Sequence, residues 1–159
     1  MMTLADYTAP DLIIPRLHGR DASDLTAELC LVLEQRGRLS DRSAFYDAVI
    51  RRESMASTAI PPDWAMPHAR LADIPRLSFA LGRTPAPVRW FGSQPVSMVF
   101  LFAVPEAEAA AYLNLISGLA RLSQDDSCLG RLANAPDGPS MFAVLQEVSL
   151  SRSRAVLVN

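Results

Sequence analysis

Within seventeen residues, Arg52 to His68, the chain sets an Arg52-Glu53 pair, the hydroxyls of Ser57 and Thr58, and one of its two histidines. Neutral imidazole is a good nucleophile near neutral pH, because its unperturbed pKa is about 6.5. A guanidinium and nearby hydroxyl donors are suited to holding the oxygens of a phosphoryl group. The chemistry such a set suits is transient phosphorylation of a histidine, with His68 as the nucleophile and Arg52, Ser57 and Thr58 as its polar surroundings. Each has a plainer reading as well. Arg52 suits the C-terminal end of a helix dipole, and Ser57 and Thr58 suit turn hydroxyls that satisfy backbone groups.

Other chemistries find little support. The chain has no GxSxG elbow, no P-loop and no dinucleotide glycine fingerprint. His18 and His68 lie fifty residues apart without clustered acids, and Cys30 and Cys128 belong to no CxxC pair, so neither a metal site nor a disulfide framework is expected. His18, in Leu-His-Gly-Arg, reads as a surface turn residue, and Glu106 and Glu108 as first-turn helix charges.

The elements that must position this segment follow from periodicity. Asp21 to Asp24 offers an N-cap to a helix whose inner stripe is Leu25, Leu29, Val32 and Leu33, with Gly37 placed to stop it. Ser40 or Asp41 caps a second helix with Phe45, Ala48 and Val49 facing inward, ending near Arg52-Glu53. Residues 54–67, with prolines at 61, 62 and 67, read as loop with room for a short extended piece. Leu77, Phe79 and Leu81 alternate as a strand ended by Gly82, and 85–95 reads as a connection with a short edge strand at 88–91. Val96 to Val104 is an apolar run broken only by Ser97, as expected of a strand buried on both faces. Pro105-Glu106 opens a long helix with the inner stripe Tyr112, Leu115, Ile116 and Leu119, where Tyr112 reads as a core or cleft-wall aromatic. Two shorter helices follow near 125–133 and 140–148, and the residues from Ser149 onward read as peripheral. The expected fold is α/β, a mixed central sheet sandwiched between helices.

The bulk numbers agree with one ordered domain over residues 1–159, with its core at about 12–148. Half the residues are hydrophobic and 20% are charged, a composition of folded rather than disordered chains. All 15 basic residues are arginine, set against 17 acidic ones. They are scattered, so no nucleic-acid-binding stripe is expected. The longest strongly apolar stretch, Val96 to Val104, is nine residues even counting Ser97, too short to span a bilayer. The opening residues lack a basic segment followed by an apolar one, so a cytoplasmic protein is expected.

The segment resembles the characteristic stretch of the enzyme IIA domain of the fructose/mannitol type, from the bacterial phosphoenolpyruvate-dependent phosphotransferase system. That group includes the nitrogen-regulatory IIA proteins. Arg52-Glu53, Ser57-Thr58, Ile60, Ala65 and Pro67-His68 fall at the family's spacing without a gap, and the likeness runs from about Leu12 to Val148. The resemblance implies that His68 accepts a phosphoryl group from the carrier HPr or its nitrogen-branch counterpart. It then passes the group to a IIB domain, or signals by its phosphorylation state to a regulatory target. Arg52, Ser57, Thr58 and Tyr112 take the phosphate- or partner-binding positions. No metal or organic cofactor is implied, nor any insertion into a membrane. With no IIB or IIC segment attached, a nitrogen-regulatory or signalling role fits somewhat better than a dedicated part in sugar transport.

The sequence departs from the family's pattern in two places. Ala59, Pro61 and Asp63 stand where glycines are usual, and Trp64 adds bulk beside them. Glycine permits positive φ and close backbone approach to an anion, whereas proline fixes φ and supplies no N–H. Tyr112, followed by Leu113, stands where many members carry a second histidine. Tyrosine donates one hydrogen bond and carries no positive charge near pH 7. Both departures motivate an alternative reading, a regulatory protein-binding module that keeps the fold without phosphotransfer.

Overall fold

The computed structural model describes residues 2–150. The first two α-helices are α1 (Ala22–Gln35) and α2 (Arg42–Met55). Asp21 caps α1 by accepting the Asp24 N–H at 2.8 Å, and Asp41 caps α2 by accepting the Ala44 N–H at 3.0 Å. Gly37, at φ 73°, takes the left-handed turn just past the end of α1. The strands are β1 (Ile13–Ile14), β2 (Ala59–Ile60), β3 (Trp64–Ala65), β4 (His68–Leu71), β5 (Ser78–Arg89) and β6 (Pro95–Pro105). Three helices close the fold: α3 (Ala109–Leu122), α4 (Asp126–Asn134) and α5 (Gly138–Leu145).

The sheet is mixed. β5 and β6 form a long antiparallel pair at its centre, and β1 lies parallel to β5 on one side. On the other side β6 is flanked by β3 and then β4, both parallel to it, with β2 antiparallel to β3. β6 is buried on both faces because alternate residues enter different cores. Phe100, Phe102 and Val104 pack with Leu115, Leu119, Leu132 and Met141 beneath α3–α5. Val99, Leu101 and Ala103 pack with Leu25, Leu29, Phe45 and Val49 beneath α1 and α2. The expected sandwich of a mixed sheet between helical layers is the observed one, and the period-2 alternation of the strand is its cause.

Four expectations need correction. β5 does not end at Gly82 but runs on to Arg89, taking in much of the segment read as a connection. Gly82 is there for space: a Cβ at this position would sit 2.4 Å from Leu17 Cδ1. The ladder is irregular between Arg83 and Val88, where Pro85 and Pro87 have no N–H to donate. Second, residues 54–67 hold more than one short extended piece, for α2 continues to Met55 and is followed by the β2–β3 hairpin.

The third correction concerns the chain ends within the described residues. Leu4 is wholly buried and Leu150 nearly so, and both stack on α3 at Gly118. The Leu4 N–H donates to Val148 O at 3.0 Å and the Leu150 N–H to Met2 O at 2.9 Å. The core therefore reaches beyond 12–148 at both ends; the rest of the tail expected to be peripheral, 151–159, lies outside the described residues. Fourth, α3 begins only at Ala109, after a 3-10 turn at Glu106–Glu108, and the last helix starts at Gly138, capped by Asp137.

Candidate functional site

His68 opens β4, whose register opposite β6 puts His68 beside Phe102. Its imidazole lies 5.2 Å, centroid to centroid, from the Tyr112 ring, and Tyr112 in turn meets Phe102 edge-on at 5.5 Å. Tyr112 comes from the first turns of α3, Arg51 and Arg52 from the last turns of α2, and Arg70 from β4. All of these line one cleft of about 490 Å³ together with Ala48, Leu71 and Val104. Strand alternation explains Arg70, two residues after His68 and on the same face of β4.

The imidazole is partly buried, and its Nδ1 lies 3.4 Å from the Met66 carbonyl. A carbonyl only accepts, so this long contact is favourable when the proton sits on Nδ1, which leaves the Nε2 lone pair unprotonated. Burial holds the His68 pKa below its ordinary value. The Met66 carbonyl opposes that shift, while the Arg52 guanidinium adds to it. The ring is thus neutral at pH 7. Burial also pushes the Tyr112 phenol up to about 12, against a smaller lowering by Arg52, so its hydroxyl stays a donor.

Arg52 and Tyr112 join His68 at the cleft; Ser57 and Thr58 do not. Arg52 also donates from Nη1 to Ala56 O at 3.0 Å, so it caps its own helix and faces the cleft at once. The Ser57 hydroxyl accepts the Ala59 N–H at 3.0 Å and is used in a turn. The Thr58 hydroxyl donates to Glu53 Oε1 at 2.6 Å and accepts the Met66 N–H at 3.1 Å. Its hydrogen-bonding capacity toward a phosphate is taken up within the fold. His18 is a surface residue as expected, held to Glu28.

The loop without glycines takes a path that needs none. Among the described residues Phe91 alone is a non-glycine at positive φ, so Ala59, Pro61 and Asp63 avoid the left-handed region, and the Pro61–Pro62 peptide bond is cis. The amides of Thr58, Ala59 and Met66 are already bonded to side chains, and residues 61, 62 and 67 are prolines. Cationic and phenolic donors stand in the cleft instead. Among the described residues, the guanidinium groups of Arg51 and Arg70 make no ion pair or hydrogen bond and the Tyr112 hydroxyl makes no hydrogen bond. No group of three or more potential metal-ligating residues occurs among them.

Sequence reasoning gave no role to four residues here: Arg51, Arg70, Glu53 and Trp90. Arg70 had a signal in its i+2 spacing from His68. Glu53 had one too, since it continues the buried stripe Phe45, Val49 at steps of four along α2. Its carboxylate, only 4% exposed, accepts the Thr58 N–H at 3.1 Å, the Thr58 hydroxyl and the Trp90 Nε1–H at 2.8 Å. Nothing local announces Trp90, which reaches Glu53 across 37 residues of sequence.

Fold and cleft together define an α/β sandwich that presents one neutral histidine among guanidinium and phenol donors at the edge of its sheet. The chain belongs to the family described as "Phosphoenolpyruvate-dependent sugar phosphotransferase system, EIIA 2", whose profile matches residues 6–148. It is 27% identical over 146 residues to a nitrogen regulatory protein of Bradyrhizobium diazoefficiens, covering 91% of this chain and 95% of that protein. It is 26% identical over 148 residues to the fructose-specific EIIABC component of Bacillus subtilis, covering 92% of this chain but 23% of that longer protein. Among solved structures, the nitrogen regulatory protein IIA-Ntr of Neisseria meningitidis superposes with a TM-score of 0.80 at 26% identity, over 89% of this chain and 98% of that one. No helix among the described residues is long and apolar enough to cross a membrane.

Proposed function

We propose that the protein is a cytoplasmic phosphocarrier whose phosphoacceptor is His68. The Nε2 lone pair attacks the phosphorus of a phosphohistidine on an HPr-type carrier, in line with the scissile N–P bond. A new N–P bond forms on His68, the old one breaks, and its electron pair returns to the carrier's imidazole. Arg52, with Arg51 and Arg70 beside it, neutralises charge on the transferring group, and Tyr112 donates one hydrogen bond to it. The phosphoryl group then passes to a IIB domain, or the phosphorylated state is read by a regulatory target. Similarity to nitrogen regulatory proteins along nearly their full length favours the nitrogen branch.

The observation that carries this reading is His68 itself: a partly buried imidazole with Nδ1 3.4 Å from the Met66 carbonyl, in a cleft lined by three arginines. Incubation with phosphoenolpyruvate, enzyme I and an HPr-type carrier is expected to give an acid-labile label that His68→Ala abolishes. An unlabelled wild-type protein, with the same partners active on a control IIA, refutes it.

A second reading keeps the fold as a regulatory binding module without phosphotransfer. It is favoured by the loop amides, which are occupied by side chains rather than free to cradle an anion. Under it, His68→Ala leaves partner regulation unchanged, and a clear regulatory defect in that variant rejects it.

A further inference from the structure

Deepening the reading of His68 as phosphoacceptor, we propose that Glu53, Thr58 and Trp90 form a brace that sets the tautomer and aim of the imidazole. They act as positioning residues at a distance from the reacting atoms.

The brace begins in the core. Trp90 is wholly buried just past the end of β5, and its one polar hydrogen is spent on Glu53 Oε2. Glu53 has no cationic partner among the described residues, so three hydrogen bonds rather than an ion pair hold this buried carboxylate. That gives the bonds direction. The Thr58 hydroxyl has a single hydrogen, drawn to Glu53 at 2.6 Å, so toward Met66 its oxygen only accepts. The Met66 N–H meets it at 3.1 Å.

Met66 precedes Pro67, which confines it to extended backbone. Pro67 is held in turn, since its carbonyl accepts the Phe102 N–H at 3.0 Å. With its N–H pinned and its conformation restricted, the direction of the Met66 carbonyl is set. That carbonyl is the group facing His68 Nδ1. A chain of bonds therefore runs from the indole through Glu53, Thr58 and Met66 to the imidazole, and keeps Nε2 unprotonated toward the cleft. Without it, Nδ1 and Nε2 compete for the proton, and the ring loses its fixed direction of attack.

The test is a long-range ¹H–¹⁵N spectrum of the imidazoles of the whole protein above pH 8, with the His68 signals assigned by His68→Ala. Wild type is expected in the Nδ1–H form. Thr58→Val, which keeps the shape but removes both bonds of the hydroxyl, is expected to average the two His68 nitrogens toward each other. Thr58→Ser is expected to restore the wild-type pattern. Labelling from an HPr-type carrier should fall about tenfold or more in Thr58→Val and return in Thr58→Ser, as expected for a misaimed nucleophile.

A purely structural Thr58 would lower stability and leave the tautomer alone. A folded Thr58→Val protein with the wild-type His68 spectrum therefore overturns the brace. If that variant does not fold, Trp90→Phe decides: it keeps an aromatic side chain, smaller than the indole, and removes the donor to Glu53, and an unchanged His68 spectrum in it overturns the proposal equally. A wild-type protein that is never labelled, yet shows the tautomer shift in Thr58→Val, supports the brace and rejects the phosphoacceptor reading alone.

Discussion

Tyr112→Phe isolates one atom of the cleft. The hydroxyl makes no hydrogen bond among the described residues, so its removal leaves no protein donor or acceptor unpaired. The ring contacts survive, since phenylalanine keeps the edge-on packing against Phe102 at 5.5 Å and the tilted approach to His68 at 5.2 Å. Folding stability should therefore change by less than about 0.5 kcal/mol, or rise slightly as a partly buried hydroxyl is removed.

The effect on a phosphorylated His68 should be of another size. Burial keeps the phenol protonated, so it is a ready donor to an anionic oxygen beside the imidazole. A hydrogen bond to a charged group contributes about 1.5–3 kcal/mol, which corresponds to about a 10- to 150-fold change in rate. Single-turnover transfer from a phosphorylated HPr-type carrier reads this directly, with denaturant midpoints measured on the same preparations. A Tyr112→Phe protein of unchanged midpoint that transfers within about threefold of wild type refutes the assignment of a donor role to Tyr112. A large drop in midpoint would instead refute the claim that the hydroxyl is unused by the fold.

Other expectations follow from the same geometry. Arg51→Met with Arg70→Met should slow transfer by about tenfold at unchanged stability, because neither guanidinium makes an ion pair among the described residues; urea midpoints beside transfer rates check both halves. Gly82→Ala should cost about 1–3 kcal/mol in urea unfolding, since the new Cβ falls within 2.8 Å of three Leu17 carbons, one of them the branching Cγ. His68 has a depressed pKa in the folded state, so the unfolded chain binds its proton more readily. Relative to His68→Gln, wild-type stability should be level above the unfolded pKa of about 6.5, fall as the pH drops from there toward the folded pKa, and level off below it. A difference in unfolding free energy that stays flat down to pH 5 would contradict the burial of the ring.

Several elements were legible because their cause is local. Asp21 and Asp41 cap their helices through hydrogen bonds three residues on, and such short-range geometry is written in residue order. The buried run of β6 and the inner stripe of α3 were equally readable from apolar periodicity. Gly82 misled for a physical reason: a glycine that stops a strand and one that admits a neighbouring side chain look alike until Leu17 is seen against it. The termini misled because burial of Leu4 and Leu150 arises from their pairing across the chain, not from either segment alone.

The site divides along the same line. By itself the sequence determined that an arginine and a histidine stand sixteen residues apart in a family-like frame, and that this frame lacks its usual glycines. Only the tertiary structure decided how those residues are used. It brought Arg70 and Arg51 to the cleft, turned Thr58 away from it toward Glu53, and set Tyr112 against the imidazole. It also let the β2–β3 hairpin do without positive φ. Residue types and spacing specify which groups are available. Which of them remain free for chemistry depends on hydrogen bonds between segments distant in sequence, and the bond from Trp90 to Glu53 is the one that no local pattern announces.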